Sequence, residues 1–429
     1  MEISSLYELY KLHPQITTDT RNCLPDSIFF ALKGSNFNGN EYAQKALESG
    51  CRYAVVDEEP LVVNDKIILV SDVLETLQEL ANYHRRQLKL PIIAITGTNG
   101  KTTTKELIAA VLRKEYNVIY TEGNLNNHIG VPLTLLKMTR QHDVAVIEMG
   151  ANHPGEIKFL AKIVEPDYGL ITNVGQAHLE GFGSFENVIK TKGELYDYIR
   201  DSEDGKIFID YNNRYLSKIA EGMMPIYYGE NEDLFISGKV LALTPCLKFA
   251  WRSLDSDCLV QTKLVGDYNL SNALAAIAIG RYFGVRTELI NEALEEYEPV
   301  NNRSQLKKTG KNILIIDAYN ANPTSMHAAL ENFRHIDATN KTLILGEMRE
   351  LGDDSQKEHQ RLVDYIADHK FQNVFFVGSS FEQVNTYQYP RYESSDTLKE
   401  YLSKNPLENQ YILIKGSRGN RLEDCIDIL

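Results

Sequence analysis

The residues most plainly arranged for chemistry are Thr96-Gly97-Thr98-Asn99-Gly100-Lys101-Thr102-Thr103-Thr104. Glycines let a backbone approach a phosphate and turn its N–H groups inward, and the N-terminus of a following helix adds partial positive charge. Lys101 can then reach terminal phosphates and the Thr102 hydroxyl can sit on Mg²⁺. The common phosphate loop has four residues between its glycines, whereas Gly97 and Gly100 are separated by two. The plain alternative is a Gly-rich turn ahead of a helix. Glu148 closes the apolar run Val144–Ile147. A carboxylate at the carboxyl end of a strand lies where α/β sheets bind ligands and suits Mg²⁺; otherwise it is a capping or surface Glu. His178 lies in the loop Asn173–Ser184. Mg²⁺ prefers oxygen, so this His would act through water or at a second metal site, or is simply a polar loop residue. Lys190 and Lys192 open the helical segment Lys190-Thr191-Lys192-Gly193-Glu194-Leu195, and by themselves read as solvated lysines.

These groups need elements to position them. Ile92–Thr96 reads as a buried strand and Lys101–Tyr116 as a helix. Val144–Glu148 and Tyr168–Val174 read as two further strands, followed by a helix over Phe185–Ile199. Apolar runs separated by helices predict a parallel sheet covered on both faces. Asn269–Phe283 and Thr287–Tyr297 continue as helices. Before this unit, Ser27–Leu32, Tyr53–Val56 and Ile67–Val70 are short strand signals, with a helix from Asp72 to about Arg86. After it, Ile313–Asp317, Thr342–Gly346, Val374–Gly378 and Tyr411–Lys415 alternate with helical patterns near 323–336, 357–369, 396–404 and 421–428, a doubly wound arrangement. The fold class is therefore α/β in three units: a small N-terminal unit (1–88), a central phosphate-loop unit (89–300) and a C-terminal Rossmann-like unit (301–429).

Composition excludes several classes. The 429 residues contain 43% hydrophobic and 24% charged residues, enough for real cores. A net charge of −14 argues against a nucleic-acid binder. The five cysteines never form a C-x-x-C pair and read as free thiols. With no signal-like segment and no apolar run long enough to span a bilayer, the expected setting is the cytoplasm.

The loop Gly97–Thr103, with its short glycine spacing, resembles that of the Mur ligases, which assemble the peptide of peptidoglycan. The resemblance runs along the chain in order: Thr18-Asp19-Thr20-Arg21, Phe30-Ala31-Leu32-Lys33-Gly34, Gly123–Pro132, Glu148–His153, Ala177–Gly183, Gly346–Gly352 and Lys415-Gly416-Ser417-Arg418. Asp317-Ala318-Tyr319-Asn320-Ala321-Asn322-Pro323 is similar to the member that adds D-alanyl-D-alanine, where sister ligases carry a D-Y-A-H-T-P-like sequence. The resemblance implies an ATP-dependent ligase extending UDP-N-acetylmuramoyl-tripeptide through an acyl phosphate. It implies that Gly97, Thr98, Asn99, Gly100, Lys101, Thr102 and Thr103 hold the ATP phosphates, with Asn272, Arg303 and Asp317 contacting ATP from the central and C-terminal units. Thr102, Glu148, His178 and a carbamylated Lys192 would bind Mg²⁺, at two sites, with Lys190 the lesser register for the carbamate. Lys101, Lys192 and His178 would be catalytic. Thr20, Arg21, Asn124, Asn126 and Asn127 would meet the UDP-sugar substrate, and Asn320, Asn322, Lys415 and Arg418 the incoming dipeptide. His128 departs from the family pattern, in which acidic or amide residues often follow the Asn pair. The family also implies a monomer.

Two alternatives share part of these features. A sister ligase adding a single amino acid, or a folylpolyglutamate synthase-like enzyme, would share the loop, but residues 317–323 argue against both. A nucleotide switch would share the loop alone, and the downstream matches argue against it. Whether the acceptor peptide carries lysine or diaminopimelate at its third position is left open.

Overall fold

The computed structural model describes residues 1–59, 64–300 and 302–429; Asn301, where the sequence starts the third unit, lies outside the described residues. Three large sheets follow one another along the chain, beside a two-stranded antiparallel ribbon of Lys33–Gly34 and Phe37–Asn38. The first is parallel and orders its strands Ile16–Thr17, Ile28–Phe30, Tyr53–Val56 and Ile67–Leu69. Alternation along these strands sends Ile28, Phe30 and Val55 to one core and Phe29, Ala54 and Val56 to another, so both faces are covered. The helix Val73–Leu88 starts where the Asp72 carboxylate accepts from the Glu75 N–H at 2.7 Å, and it ends at Lys89 in the left-handed region. Its buried stripe of Val73, Leu77, Leu80 and Ala81 shares one core with Ile92, Ala94 and Ile147 of the next unit. That shared core joins the N-terminal unit to the central sheet.

The central sheet has nine strands. Seven are mutually parallel, in the order Val118–Tyr120, Val144–Glu148, Ile92–Thr96, Tyr168–Ile171, Lys206–Asp210, Ile226–Gly229 and Ile236–Ala242. The expected parallel sheet is present, with an addition that the sequence did not announce. Lys248–Ser253 and Ser256–Gln261 add an antiparallel meander at one edge. Phe249 and Trp251 of the meander are buried while their neighbours are partly exposed, so it gives an alternating pattern rather than the apolar run that marks a parallel strand. Asn269–Tyr282 is buried on all sides, and its Ala-rich face packs against the helix Lys101–Leu112.

The third sheet orders Gln305–Lys308, Ile313–Asp317, Tyr411–Lys415, Lys341–Gly346, Asn373–Val377 and Arg391–Tyr392. Only the first of these is antiparallel to its neighbour. Helices Pro323–His335, Ser355–Asp368 and Ser395–Lys404 cover it, while the expected helix at 421–428 is a 3₁₀ segment, Leu422–Ile428. Among the described residues no helix is long and apolar enough to cross a membrane.

Because Asp72 supplies the side-chain cap of the helix that joins two units, Asp72→Ala should cost about 1 kcal/mol. Differential scanning calorimetry should show a melting temperature lower by roughly 2–4 °C.

Candidate active site

Strand register builds the site. Glu148 pairs with Ile95, and Ile171 pairs with Thr96, so three parallel strands end level with one another. The chain leaving Thr96 must then turn over Thr172 and Asn173. Gly97 makes that turn at φ +142°, where a Cβ would lie 2.0 Å from the Thr172 hydroxyl. Gly100 begins the helix at φ +78°, with its Cβ position 2.6 Å from the Asn272 amide oxygen. Both conformations and both close approaches require glycine. The loop is held down by its neighbours: the Thr98 N–H donates to the Asn173 carbonyl (2.9 Å), the Asn99 N–H to the Asn173 side chain (3.0 Å), and the Thr172 hydroxyl to the Asn99 carbonyl (2.6 Å). Lys101 Nζ donates to the carbonyls of Gly97 (2.8 Å) and Thr98 (2.9 Å), which keeps the ammonium over the loop.

The loop faces a cavity of about 1060 Å³. Thr98–Thr103, Glu148, His178 and Asn272 line its central side. Arg303, Asp317, Tyr319, Asn320, Lys415 and Arg418 line its C-terminal side, and Asn124, Asn126, Asn127 and His128 a third wall. Glu148 is 1% exposed. One carboxylate oxygen accepts from the Asn126 amide at 2.7 Å, and the other has no hydrogen-bond partner among the described residues. A buried, unsatisfied anionic oxygen facing a phosphate loop fits a divalent cation, and Thr102 offers a hydroxyl to the same cavity.

Three lysines surround this carboxylate or the loop. Burial lowers the pKa of Lys101, opposed by Glu148 and assisted by Arg303. Lys105 is 0% exposed, with Nζ 3.8 Å from both Glu106 and Glu148, and burial pushes its pKa down against their pull. Lys192 is 2% exposed; its Nζ donates to the Ala151 carbonyl at 3.4 Å and lies 5.4 Å from the centre of the Phe182 ring. No carboxylate among the described residues pairs with it, and burial, then the charge of Lys101, lowers its pKa well below the usual lysine value.

The C-terminal wall is built in the same way. Register places Asp317 beside Lys415, and their side chains pair at 2.5 Å. Arg303 stacks 3.7 Å over the Tyr319 ring, and Arg418 lies 5.6 Å from the same ring. Asn322 caps the helix Pro323–His335 and also donates to the Asn99 side chain at 2.8 Å, tying the two units together at the loop.

Two family models match the chain, the Mur ligase middle domain over residues 95–280 and the Mur ligase, glutamate ligase domain over residues 302–418. The chain belongs to the Mur ligase family. It is 33% identical to UDP-N-acetylmuramoyl-tripeptide--D-alanyl-D-alanine ligase of Bacillus subtilis (strain 168), over 98% of this chain and 93% of that protein. The protein of the same name from Escherichia coli (strain K12) is 32% identical, over 96% of this chain and 93% of its own. MurF from Acinetobacter baumannii superposes with a TM-score of 0.86 at 29% identity, covering 96% of this chain and 92% of that one. MurF ligase from Thermotoga maritima in complex with ADP shares the fold, with a TM-score of 0.87 at 24% identity and 97% of each chain covered.

In this Mur ligase the cavity gathers most of the residues singled out in the sequence. Thr20 and Arg21 are not among its lining residues: they lie in the 3₁₀ turn Thr20–Asn22, where Arg21 pairs with Asp19. Asn127 spends its side-chain oxygen on the N–H groups of Ile129 and Gly130, shaping the loop that carries it. His128 is exposed on the cavity rim. Lys190 and Lys192 lie within the helix Phe185–Arg200, not at its start. Lys190 is exposed as the residues alone suggest, but the solvated reading of Lys192 is overturned, because its helix face is buried. Sequence reasoning missed Lys105, Tyr319 and Glu350. Lys105 stands one turn after Lys101 on the same helix face, a spacing that could have flagged it. Tyr319 and Glu350 stand inside the motifs 317–323 and 346–352 but were given no role of their own.

Gly97→Ala should weaken binding of a non-hydrolysable ATP analogue roughly 10- to 100-fold, the equivalent of the strain and displacement a side chain imposes there. Isothermal titration would measure it, and unchanged affinity would refute the backbone argument.

Proposed function

We propose that this Mur ligase uses ATP to join D-alanyl-D-alanine to UDP-N-acetylmuramoyl-tripeptide. The observation that carries the reading is a single cavity into which the phosphate loop, the buried Glu148 carboxylate and the cationic C-terminal wall all face. The relatives' shared name supports it. In this reading residues 1–88 hold the UDP-sugar end through Thr20 and Arg21. Residues 89–300 hold ATP and residues 301–429 present the dipeptide. The protein works as a cytoplasmic monomer.

A carboxylate does not react with an amine at neutral pH unless it is activated. The tripeptide carboxylate attacks the γ-phosphorus of ATP, the bond to the ADP oxygen breaks, and an acyl phosphate forms. The dipeptide amine then attacks the acyl carbon, phosphate leaves, and the amine's proton is released. The first step brings anions together, so the Lys101 ammonium and the loop N–H groups must lie where negative charge accumulates. Asn272, Arg303 and Asp317 orient the nucleotide. Asn124, Asn126 and Asn127 orient the acceptor, while Asn320, Asn322, Lys415 and Arg418 orient the dipeptide. Such positioning can be worth roughly 7–11 kcal/mol. Thr102, Glu148 and His178 are the side chains that would hold Mg²⁺, at two sites. When bound, Mg²⁺ neutralises charge on the transferring phosphoryl group.

Lys192 fits conversion to a carbamate. Its burial without an anionic partner favours the neutral amine. The amine nitrogen bonds to the carbon of CO₂, a C=O electron pair moves to oxygen, and a proton leaves to solvent. The product is an anionic oxygen donor where a cation stood. In ¹³C-bicarbonate buffer, the wild type should show a carbamate carbon resonance that Lys192→Arg lacks, with activity falling together with the signal. Full activity in Lys192→Ala would eliminate the role.

The deciding assay is phosphate release from ATP with each substrate omitted in turn. Release that needs ATP, the UDP-tripeptide and D-alanyl-D-alanine, with a pentapeptide product by mass, is the expected result. Release supported by a single amino acid would reassign the protein to a sister activity, and release needing neither substrate would leave a nucleotide switch.

A further inference from the structure

The loop that follows the C-terminal strand Lys341–Gly346 reaches across to the central unit. Its Met348 N–H donates to His359 at 3.0 Å, and Met348 and Leu351 are buried, so the loop is anchored on both sides of Glu350. Glu350 takes φ +63° and Gly352 φ +55°, which turns the loop toward Glu180, whose N–H donates to the Glu350 carbonyl at 3.4 Å. The Glu350 carboxylate pairs with Nδ1 of His178, itself in the left-handed region at φ +52°. Two other contacts cross between these units nearby: Asn322 with Asn99 at 2.8 Å, and the Gln176 N–H with the Thr324 hydroxyl at 3.3 Å.

We infer that Glu350 is a positioning residue for His178, supplied by the C-terminal unit to a ring that lines the central unit's side of the cavity. The inference rests on the ligase reading above. A neutral imidazole has one N–H and one lone pair, and the partner of one nitrogen decides which is which. A carboxylate set against Nδ1 favours the proton on that nitrogen and leaves Nε2 as the one to bind. Imidazoles that bind metals are oriented by such an outer carboxylate. Here that carboxylate lies on a different sheet from the histidine, so the ring is set only when the C-terminal unit rests against the loop. Binding at the cavity and the arrangement of the units are thereby coupled, which disfavours use of ATP before the dipeptide side of the cavity is in place.

The test compares wild type, Glu350→Ala and Glu350→Gln, each checked for wild-type melting. Ring ¹⁵N spectra of histidine-labelled protein with a non-hydrolysable ATP analogue and UDP-tripeptide should show His178 as the Nδ1–H tautomer in wild type, lost in Glu350→Ala. The Mg²⁺ concentration for half-maximal velocity should rise roughly 10-fold or more in Glu350→Ala, the usual effect of losing an outer partner. The KM for D-alanyl-D-alanine should change little. Glu350→Gln, whose amide oxygen can still accept from Nδ1, should restore the tautomer and part of the Mg²⁺ response. A folded Glu350→Ala with the wild-type tautomer and Mg²⁺ requirement overturns the inference. A wild type without dipeptide-dependent phosphate release overturns the ligase reading instead.

Discussion

The hydrogen bonds from Thr98, Asn99 and Thr172 that hold the glycine loop onto the adjacent strand end are the constraint from which the rest of the site follows. They exist because Thr96 pairs with Ile171 in a parallel register, so the residues beyond each strand emerge side by side. The loop has no room for side chains at Gly97 or Gly100, and in exchange its N–H groups and Lys101 face one space. The same sheet sets Glu148 next to Ile95, at the height of the loop. A slip of one residue in either pairing would turn these side chains to the opposite face.

Around that constraint the protein concentrates positive charge inside an acidic body. The net charge is −14, yet Lys101 lines the cavity and Lys105 and Lys192 lie against the lining residues Glu148 and Ala151, and burial lowers each pKa. Their surroundings separate their tasks. Lys101 is held by loop carbonyls and faces the cavity. Lys105 is shared between Glu106 and Glu148, and Lys192 meets the Ala151 carbonyl and the Phe182 ring, with no carboxylate paired to it among the described residues. Burying charge is costly, and three buried lysines gathered in one place point to chemistry rather than stability.

The second half of the cavity comes from another sheet, and at the cavity margin the contacts between the two are polar, while Cys246 and Val265 of the central unit pack into the C-terminal core and Leu264 bridges to Gln305. Asn99 with Asn322, Gln176 with Thr324, and His178 with Glu350 all lie at the cavity margin. Polar contacts of this kind are exchangeable with water, unlike the apolar packing that fixes the N-terminal unit to the central sheet and seats Cys246 and Val265 in the C-terminal core. The polar contacts at the cavity margin can therefore part around substrates while the apolar contact at Cys246 and Val265 keeps the units attached.

What the sequence determined by itself was local. The glycine loop, its lysine and the helix after it are adjacent in the chain, and buried parallel strands such as Ile92–Thr96 and Val144–Glu148 announce themselves as apolar runs. The antiparallel meander at 248–261 did not, because one of its faces meets water. Lys192 could be given a role only through family resemblance: its residue type and position read as solvated, and the structure buries it. The Asp317–Lys415 pair, the Asn126–Glu148 bond, the Arg303–Tyr319 stack and the His178–Glu350 pair were equally out of reach. Each joins side chains on elements that meet only after sheets have registered and units have packed. A residue's charge state and direction depend on what those distant elements place against it, and no local pattern encodes that.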